Sequence, residues 1–206
     1  DAGKVSDVTK GTTIAVPKYN IDLSKLGQES YIESLGNSVT YEAESNTITL
    51  QTDKKEYHIS GVGEGVNINV APTLSETTLD LTDGTTFAGI NTSTTGEMSM
   101  TIKVDGTVTI AAAQQNAIIA NDKTTLSVEG EVGAKLILSA GNQAAGIGTP
   151  ADVTIKDIAI TINAGTGIQA GTITITNSKV SVTATNGDGI AIDGDCNIQS
   201  DSEVTA

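Results

Sequence analysis

The chain has 206 residues, of which 25 are acidic and 11 basic, so its formal net charge is −14 at pH 7. All eleven basic residues are lysines. This balance argues against binding to nucleic acid or to anionic membranes, which both require clusters of basic side chains. No apolar run approaches the ~20 residues of a membrane span, and a single cysteine excludes an intrachain disulfide. We predict no nucleic-acid partner and no membrane insertion.

The first 46 residues lack the repeat found in the rest of the chain and are predicted to form an N-terminal cap. Pro17 interrupts any regular element, whereas residues 23–26 and 30–36 could each form a short helical turn, the second stopped by Gly36. A cap is expected because an open solenoid end exposes unpaired backbone groups. It would also hold the tyrosines that cluster here, for which a binding patch is the alternative: Tyr19, Tyr31 and Tyr41.

From residue 47 onward, apolar and polar residues alternate in short runs. Residues 57–61, Tyr-His-Ile-Ser-Gly, and residues 65–70, Gly-Val-Asn-Ile-Asn-Val, resemble the opening coil of calcium-binding β-helix carbohydrate-binding domains of bacterial surface proteins. Those domains look like pectate-lyase-type β-helices that have kept the scaffold without the lyase chemistry. The resemblance covers roughly residues 47–206 and implies glycan binding with Ca²⁺. It assigns no calcium ligand to a particular residue.

The clearest repeat lies in residues 153–192, where each pass contains two short alternations followed by a Gly-Ile step. Alternation places isoleucines and valines on one face of a strand and threonines on the other. A unit that recurs about every 22 residues is typical of a solenoid. The sequence therefore predicts an all-β fold, a right-handed parallel β-helix with about three short strands per coil, over residues 47–206. We also predict that the helix continues past Ala206 or meets a partner there.

The Gly-Ile step predicts an isoleucine ladder through the coils, because equivalent residues of stacked coils lie one strand spacing apart. Its members are Ile90, Ile118, Ile147, Ile168 and Ile190, at intervals of 28, 29, 21 and 22 residues. The longer coils must carry longer turns, which we assign to residues 91–96, 111–116 and 129–133. Insertions in the turns of a solenoid are where function is usually located.

Oxygen-bearing side chains concentrate on the glycine-rich turns near the C-terminus. Ca²⁺ takes six to eight oxygen ligands and tolerates irregular geometry. The sequence predicts a shallow Ca²⁺ site here, although ordinary solvated Asp-Gly turns would look the same. An EF-hand is rejected, because the glycine and the terminal acid of that loop are missing. The candidate metal ligands are Asp188, Asp193, Asp195 and Asn197.

Catalytic signatures are weak. The single histidine, His58, is predicted at an exposed strand position, and Cys196 is predicted to be a small buried side chain. A polysaccharide lyase or hydrolase would need a lysine base or a carboxylate pair among five aspartates. The five aspartates are Asp152, Asp157, Asp188, Asp193 and Asp195.

An ice-binding ladder is a further class of function. Ice binding needs Thr-X-Thr pairs in register on one face, but the pairs at 107–109, 172–174 and 183–185 fall at different positions of successive coils.

The expected function is a non-catalytic binding module, with a polysaccharide or a host or cell-surface glycan as partner and Ca²⁺ as candidate cofactor. There is no Trp, and the five aromatic residues lie within the first 87 residues, so outward Thr, Asn, Gln and Lys would have to contact the sugar. A start at Asp1 and the Thr/Asn-rich composition fit a secreted or cell-surface bacterial protein. A structural or adhesin stalk is the alternative, and a lyase-like enzyme is a third.

Overall fold

The computed structural model describes residues 18–53, 55–92, 96–199 and 201–206. The chain forms a parallel β-solenoid of about seven turns with three sheets, which confirms the predicted β-helix. Strands are numbered β1 to β22 in chain order. The first sheet contains β1 Lys18–Asp22, β4 Lys55–Ser60, β6 Glu76–Leu81, β9 Met98–Val104, β12 Thr124–Gly130, β15 Asp152–Lys156, β18 Thr172–Thr176 and β21 Cys196–Ile198.

A complete coil passes from the first sheet to the second and then to the third. The second sheet contains β7 Thr86–Phe87, β10 Thr107–Ala111, β13 Lys135–Ser139, β16 Ala159–Ala164, β19 Lys179–Ala184 and β22 Glu203–Thr205. The third sheet contains β2 Val39–Glu42, β3 Thr47–Leu50, β5 Asn67–Val70, β8 Gly89–Thr92, β11 Ile118–Ile119, β14 Ala145–Gly148, β17 Thr166–Ala170 and β20 Ile190–Ile192. The β2–β3 pair is antiparallel, whereas all other described strand pairs are parallel.

The predicted isoleucine ladder is present and is longer than expected. Each isoleucine is the Cα partner of the next one, and Ile48 and Ile68 extend the ladder by two coils before Ile90. The members from Ile48 to Ile168 are at most 1% exposed. Burial of each such side chain contributes about 1.5–3 kcal/mol. Equivalent columns on the other sheets join this ladder in one hydrophobic cluster, so stacked aliphatic residues form the core with few aromatic residues.

The glycine of the Gly-Ile step has a steric cause. A Cβ atom on Gly146 would lie 2.3 Å from Cγ2 of Ile162, and one on Gly167 would lie 2.2 Å from Cγ1 of Val182. At positions 146 and 167, only glycine therefore lets a strand of the third sheet pass this close to the second-sheet strand of the next coil, β16 or β19. The Gly-Ile dipeptide therefore recurs where the coil makes a tight turn into the third sheet.

The turn insertions are largely where the sequence places them. The register lengthens around residues 111–116, between β10 and β11, and around 129–133, between β12 and β13, which confirms both. The insertion predicted at residues 91–96 includes 93–95, which lie outside the described residues. A further insertion, residues 140–144 between β13 and β14, was not predicted.

Helical turns precede the regular coils, as predicted. A 3₁₀ turn spans Leu23–Lys25, an α-helix spans Glu29–Ser34, and a second 3₁₀ turn spans Gly36–Ser38, beginning at a glycine with φ of 62°. Residues 1–17, including Pro17, lie outside the described part. Strand β1 precedes residue 46 but already pairs with β4 in the first sheet, and the cap boundary at residue 46 stays a prediction.

Tyrosine side chains connect the N-terminal segment to the first coil. The ring of Tyr19 stacks on that of Tyr57 with 5.5 Å between centroids. The buried Tyr57 hydroxyl accepts from the Thr52 amide at 3.0 Å and lies 3.3 Å from the Ser38 carbonyl. The Asp22 amide donates to the Tyr31 hydroxyl at 2.5 Å. These contacts support the cap interpretation of the tyrosines.

The last coil corrects one prediction. Cys196 aligns with the inward-facing Ile173, but its thiol is exposed, so the predicted burial is wrong. The physical reason is that β21 is paired on one side only, and no described strand covers its other side. Ile198 is 49% exposed for the same reason, although its partner Ile175 is fully buried. Continuation of the chain past Ala206 stays a prediction.

Candidate functional site

The four predicted metal ligands lie on different parts of the last coil. Asp188 is in the connection from β19 to β20, Asp193 and Asp195 flank Gly194 between β20 and β21, and Asn197 is in β21; all four are exposed. The backbone beside these residues forms hydrogen bonds with the preceding coil. One of them runs from the Gly194 amide to the Gly171 carbonyl at 2.7 Å. Within residues 18–53, 55–92, 96–199 and 201–206, no group of three or more His, Cys, Asp or Glu could hold a metal ion. The Ca²⁺ site stays a prediction.

An uncharged row of outward residues runs along the third sheet. Because outward residues of paired strands stack in register, one row crosses seven strands from β3 to β20. The row contains polar side chains, one isoleucine and small residues, but no acid or base. Its members are Thr49, Asn69, Asn91, Ile119, Gly148, Gln169 and Ala191.

The insertion at residues 111–116 folds against this row and places two amide side chains over the third sheet, with Asn116 directly over Gly148 of the row. Nε2 of Gln115 donates to Oδ1 of Asn67 at 2.5 Å, although the two residues are 48 positions apart in the chain. Oδ1 of Asn116 accepts from the Ala145 amide at 2.7 Å. The connection therefore forms a polar wall that spans several coils.

Two glycines make room for this wall. A Cβ on Gly89 would lie 3.2 Å from Nε2 of Gln115, and a Cβ on Gly148 would lie 2.4 Å from Nδ2 of Asn116. A side chain at position 148 would therefore displace the Asn116 amide, whereas one at position 89 would require Gln115 to shift by only a few tenths of an ångström. The observed placement of the two amide side chains therefore requires glycine at position 148, and glycine or a residue nearly as small at position 89.

The wall and the row enclose two adjoining depressions, which together we call the amide groove. The first has a volume of about 220 Å³, and none of its lining residues is charged. The second has a volume of about 330 Å³ and is bordered by one acid, Asp193. Asn116 lines both depressions. The amide side chains of the groove belong to Asn67, Asn69, Asn91, Gln115, Asn116 and Gln169.

The outer face of the first sheet has the opposite character. One of its rows, which we call the charged row, alternates in sign along most of its length, and its members are His58, Asp80, Lys103, Glu129 and Lys156. Nδ1 of His58 lies 3.0 Å from Oδ2 of Asp80. His58 is on the outer face but is only half-buried rather than freely exposed. Lys103 Nζ lies 3.7 Å from Oε1 of Glu56.

Another depression, of about 640 Å³, lies where the chain enters the first sheet. Its lining includes Glu97, Asp122, Lys123 and Asp152 together with serine, threonine and a few apolar residues. Asp152 is one of the aspartates predicted for a carboxylate pair, and its Oδ1 accepts from the Thr172 hydroxyl at 2.6 Å. Asp157 lies in the next turn, where its Oδ1 accepts from Asn177 at 2.6 Å. Asp152 therefore begins β15, and the other four aspartates are distributed over three connections of the coil.

The Thr-X-Thr pairs also lie on different surfaces. Thr107 and Thr109 are in β10 of the second sheet, whereas Thr172 and Thr174 are in β18 of the first. Thr183 is in β19 of the second sheet, and Thr185 follows its end. The prediction that these pairs do not share one ladder is confirmed.

Sequence reasoning identified the insertion at residues 111–116 but not the roles of Gln115 and Asn116. The available signal was the run Gln114-Gln115-Asn116 within a lengthened turn, together with glycines at positions 89 and 148. Within the part of the chain that the structure describes, no helix is long and apolar enough to cross a bilayer. No protein-family model matches the chain, and no curated protein or solved structure is significantly similar to it.

Proposed function

We propose that this chain is a non-catalytic β-helix module, secreted or displayed on a bacterial cell surface, that binds a polysaccharide in the amide groove. The observation that carries the proposal is a pair of adjoining depressions lined by six amide side chains, of which Asn67, Gln115 and Asn116 are held by hydrogen bonds. Amides present both donors and acceptors and therefore complement sugar hydroxyl groups. Side chains that are already fixed before binding also lower the entropic cost of binding a ligand.

The lining of the first depression supports binding rather than catalysis at this site. General acid–base catalysis needs a side chain that gains or loses a proton near the operating pH. The residues around this depression are Asn, Gln, Thr, Gly and Ile, none of which titrates in that range. His58 lies on a strand of another sheet and pairs with Asp80.

A pull-down with a panel of insoluble polysaccharides tests this function. We expect the protein to bind at least one member, and the Gln115→Ala/Asn116→Ala variant to be retained much less. The bound fraction should release no reducing ends and no unsaturated products. Turnover of any polysaccharide would contradict the non-catalytic assignment, and failure to bind any member would contradict the whole proposal.

Ca²⁺ remains a candidate cofactor and is tested separately. Calorimetric titration of the wild type and of the Asp193→Ala/Asp195→Ala variant would detect a site at the last coil. Heat that disappears in the variant would locate Ca²⁺ there. Heat that persists in the variant would place Ca²⁺ elsewhere, and its absence from both titrations would remove Ca²⁺ from the proposal.

A structural stalk is the second candidate function, favoured by the continuous core. One hydrophobic cluster extends from Ile21 to Val182, which is the arrangement of a stiff rod in which each coil contacts its neighbours. A stalk requires no ligand in the amide groove. The pull-down therefore distinguishes the two functions.

A further inference from the structure

We infer that the ligand of the amide groove is an uncharged polysaccharide that lies parallel to the solenoid axis and is held without a bridging cation. This inference rests on the proposed function and adds the chemical class and direction of the ligand.

The charge distribution disfavours an acidic glycan in the groove. Carboxylate groups on a sugar chain need basic partners or a bound cation. The described strands of the third sheet contain no lysine; Lys103 and Lys156 are on strands of the first sheet, and Lys135 and Lys179 on strands of the second. Among the described residues that line the groove, the one charged side chain is an acid, Asp193. The net charge of −14 adds long-range repulsion.

The amides keep hydrogen-bonding capacity for a neutral ligand. An amide side chain has two N–H donors and an oxygen with two lone pairs. The bond from Gln115 to Asn67 uses one donor of the first and one lone pair of the second, and the bond to Ala145 uses one lone pair of Asn116. The remaining donors and acceptors of these three side chains match hydroxyl groups, which both donate and accept.

The row sets the direction of the ligand. Its members recur at the strand spacing of about 4.8 Å, perpendicular to the strands, so seven strands provide a surface about 29 Å long. Ile119 stands between Asn91 and Gly148 in this row and offers an apolar contact for the C–H face of a sugar ring. A polymer that follows the row meets an amide or this apolar surface at most of the coils it crosses.

Affinity electrophoresis in native gels tests the inference, because the acidic protein migrates readily and is retarded by a polysaccharide in the gel. The neutral probes are mixed-linkage β-glucan and galactomannan, and the acidic probes are polygalacturonate and alginate. Each gel is run with EDTA and with Ca²⁺. The groove variant is Gln115→Ala/Asn116→Ala, and the matched control is Thr101→Ala/Thr154→Ala, which truncates outward residues of the first sheet. Circular dichroism checks that both variants fold.

We expect retardation by a neutral polysaccharide in EDTA, weakened about tenfold in the groove variant and unchanged in the control, since a lost hydrogen bond contributes roughly a factor of ten. If the groove variant does not fold, Asn69→Ala and Asn91→Ala replace it, and binding equal to wild type in both would contradict the inference. Retardation by acidic probes alone, or abolished by EDTA, would overturn the inference and leave polysaccharide binding intact. Retardation by none would overturn both.

Discussion

The outer faces of the first and third sheets differ in charge although they cover the same core. The charged row of the first sheet contains five titratable side chains, His58 to Lys156, at consecutive coils. The corresponding row of the third sheet contains no charge over seven strands. Because the inward residues of both sheets are mostly aliphatic, the fold requires neither outer pattern. Ion pairs occupy the outer row of the first sheet, and we propose that the uncharged row of the third sheet contacts the ligand.

Truncating a core isoleucine should cause the largest loss of stability, and the loss should be similar under the first and third sheets. Ile102→Ala under the first sheet and Ile118→Ala under the third each remove a fully buried side chain, and each should lower the free energy of unfolding by about 2–5 kcal/mol. Urea unfolding measures both. The control is Ile119→Ala, the outward neighbour of Ile118, for which we expect less than about 1 kcal/mol. Tolerance of Ile118→Ala would show that the ladder does not form the core.

The buried tyrosine on the first sheet should give the next effect. Tyr57→Phe removes the hydroxyl that accepts from the Thr52 amide and should lower the free energy of unfolding by about 1–3 kcal/mol. Burial raises the pKa of Tyr57 above its usual 10.0. The folded state therefore retains this proton when the unfolded state loses it, and stability is lost as pH rises above 10. Urea unfolding from pH 8 to 11 should show a steeper loss for wild type than for Tyr57→Phe; equal slopes would contradict this assignment.

On the third sheet, Gly148→Ala should affect binding more than stability. The added Cβ displaces the Asn116 amide, so we expect about tenfold weaker retardation by the neutral polysaccharide with a nearly unchanged unfolding midpoint. Gly27→Ala is the control, because nothing lies within 4 Å of its Cβ position. Wild-type binding by Gly148→Ala would remove Asn116 from the site.

Neutralising the charged row should have a smaller effect. Lys103→Met removes the 3.7 Å ion pair with Glu56, a partly exposed pair that contributes at most about 1 kcal/mol. The difference from wild type should shrink as salt is raised, because salt screens exposed charges. Unfolding at low and high ionic strength measures this, and binding to the neutral polysaccharide should not change. Weaker binding would place the ligand on the first sheet instead.

The smallest effect concerns Asp22 at the end of β1. Hydrogen bonds from Lys25 and Ser24 hold the pKa of this carboxyl below its usual 3.8. Its stabilisation is present above pH 3.8 and is lost as the pH falls through the lowered folded-state value. Asp22→Asn should cost well under about 1 kcal/mol at pH 7. This difference should vanish in acid; a constant difference down to pH 2 would show that the Asp22 charge is not responsible.

The sequence predicts the coils well because alternation and the Gly-Ile step reflect local geometry that recurs in every turn. Ile118, Ile147, Ile168 and Ile190 were aligned correctly for this reason. The amide groove depends instead on contacts between residues far apart in the chain, such as Gln115 and Asn67, and no periodicity encodes them. Cys196 was misassigned because the register indicates the direction of a side chain but not whether another strand covers it.

The strict alignment of neighbouring coils also sets how this protein can change in length. Thr154 and Thr174 occupy equivalent positions 20 residues apart, so excising that segment would remove one complete coil and leave every other side chain facing its original side. Deleting an odd number of residues within a strand would move the following inward side chains of that strand to the outer face and the outward ones to the core. Duplication or loss of whole coils is therefore the tolerated route, and each event would lengthen or shorten the rod by about 4.8 Å.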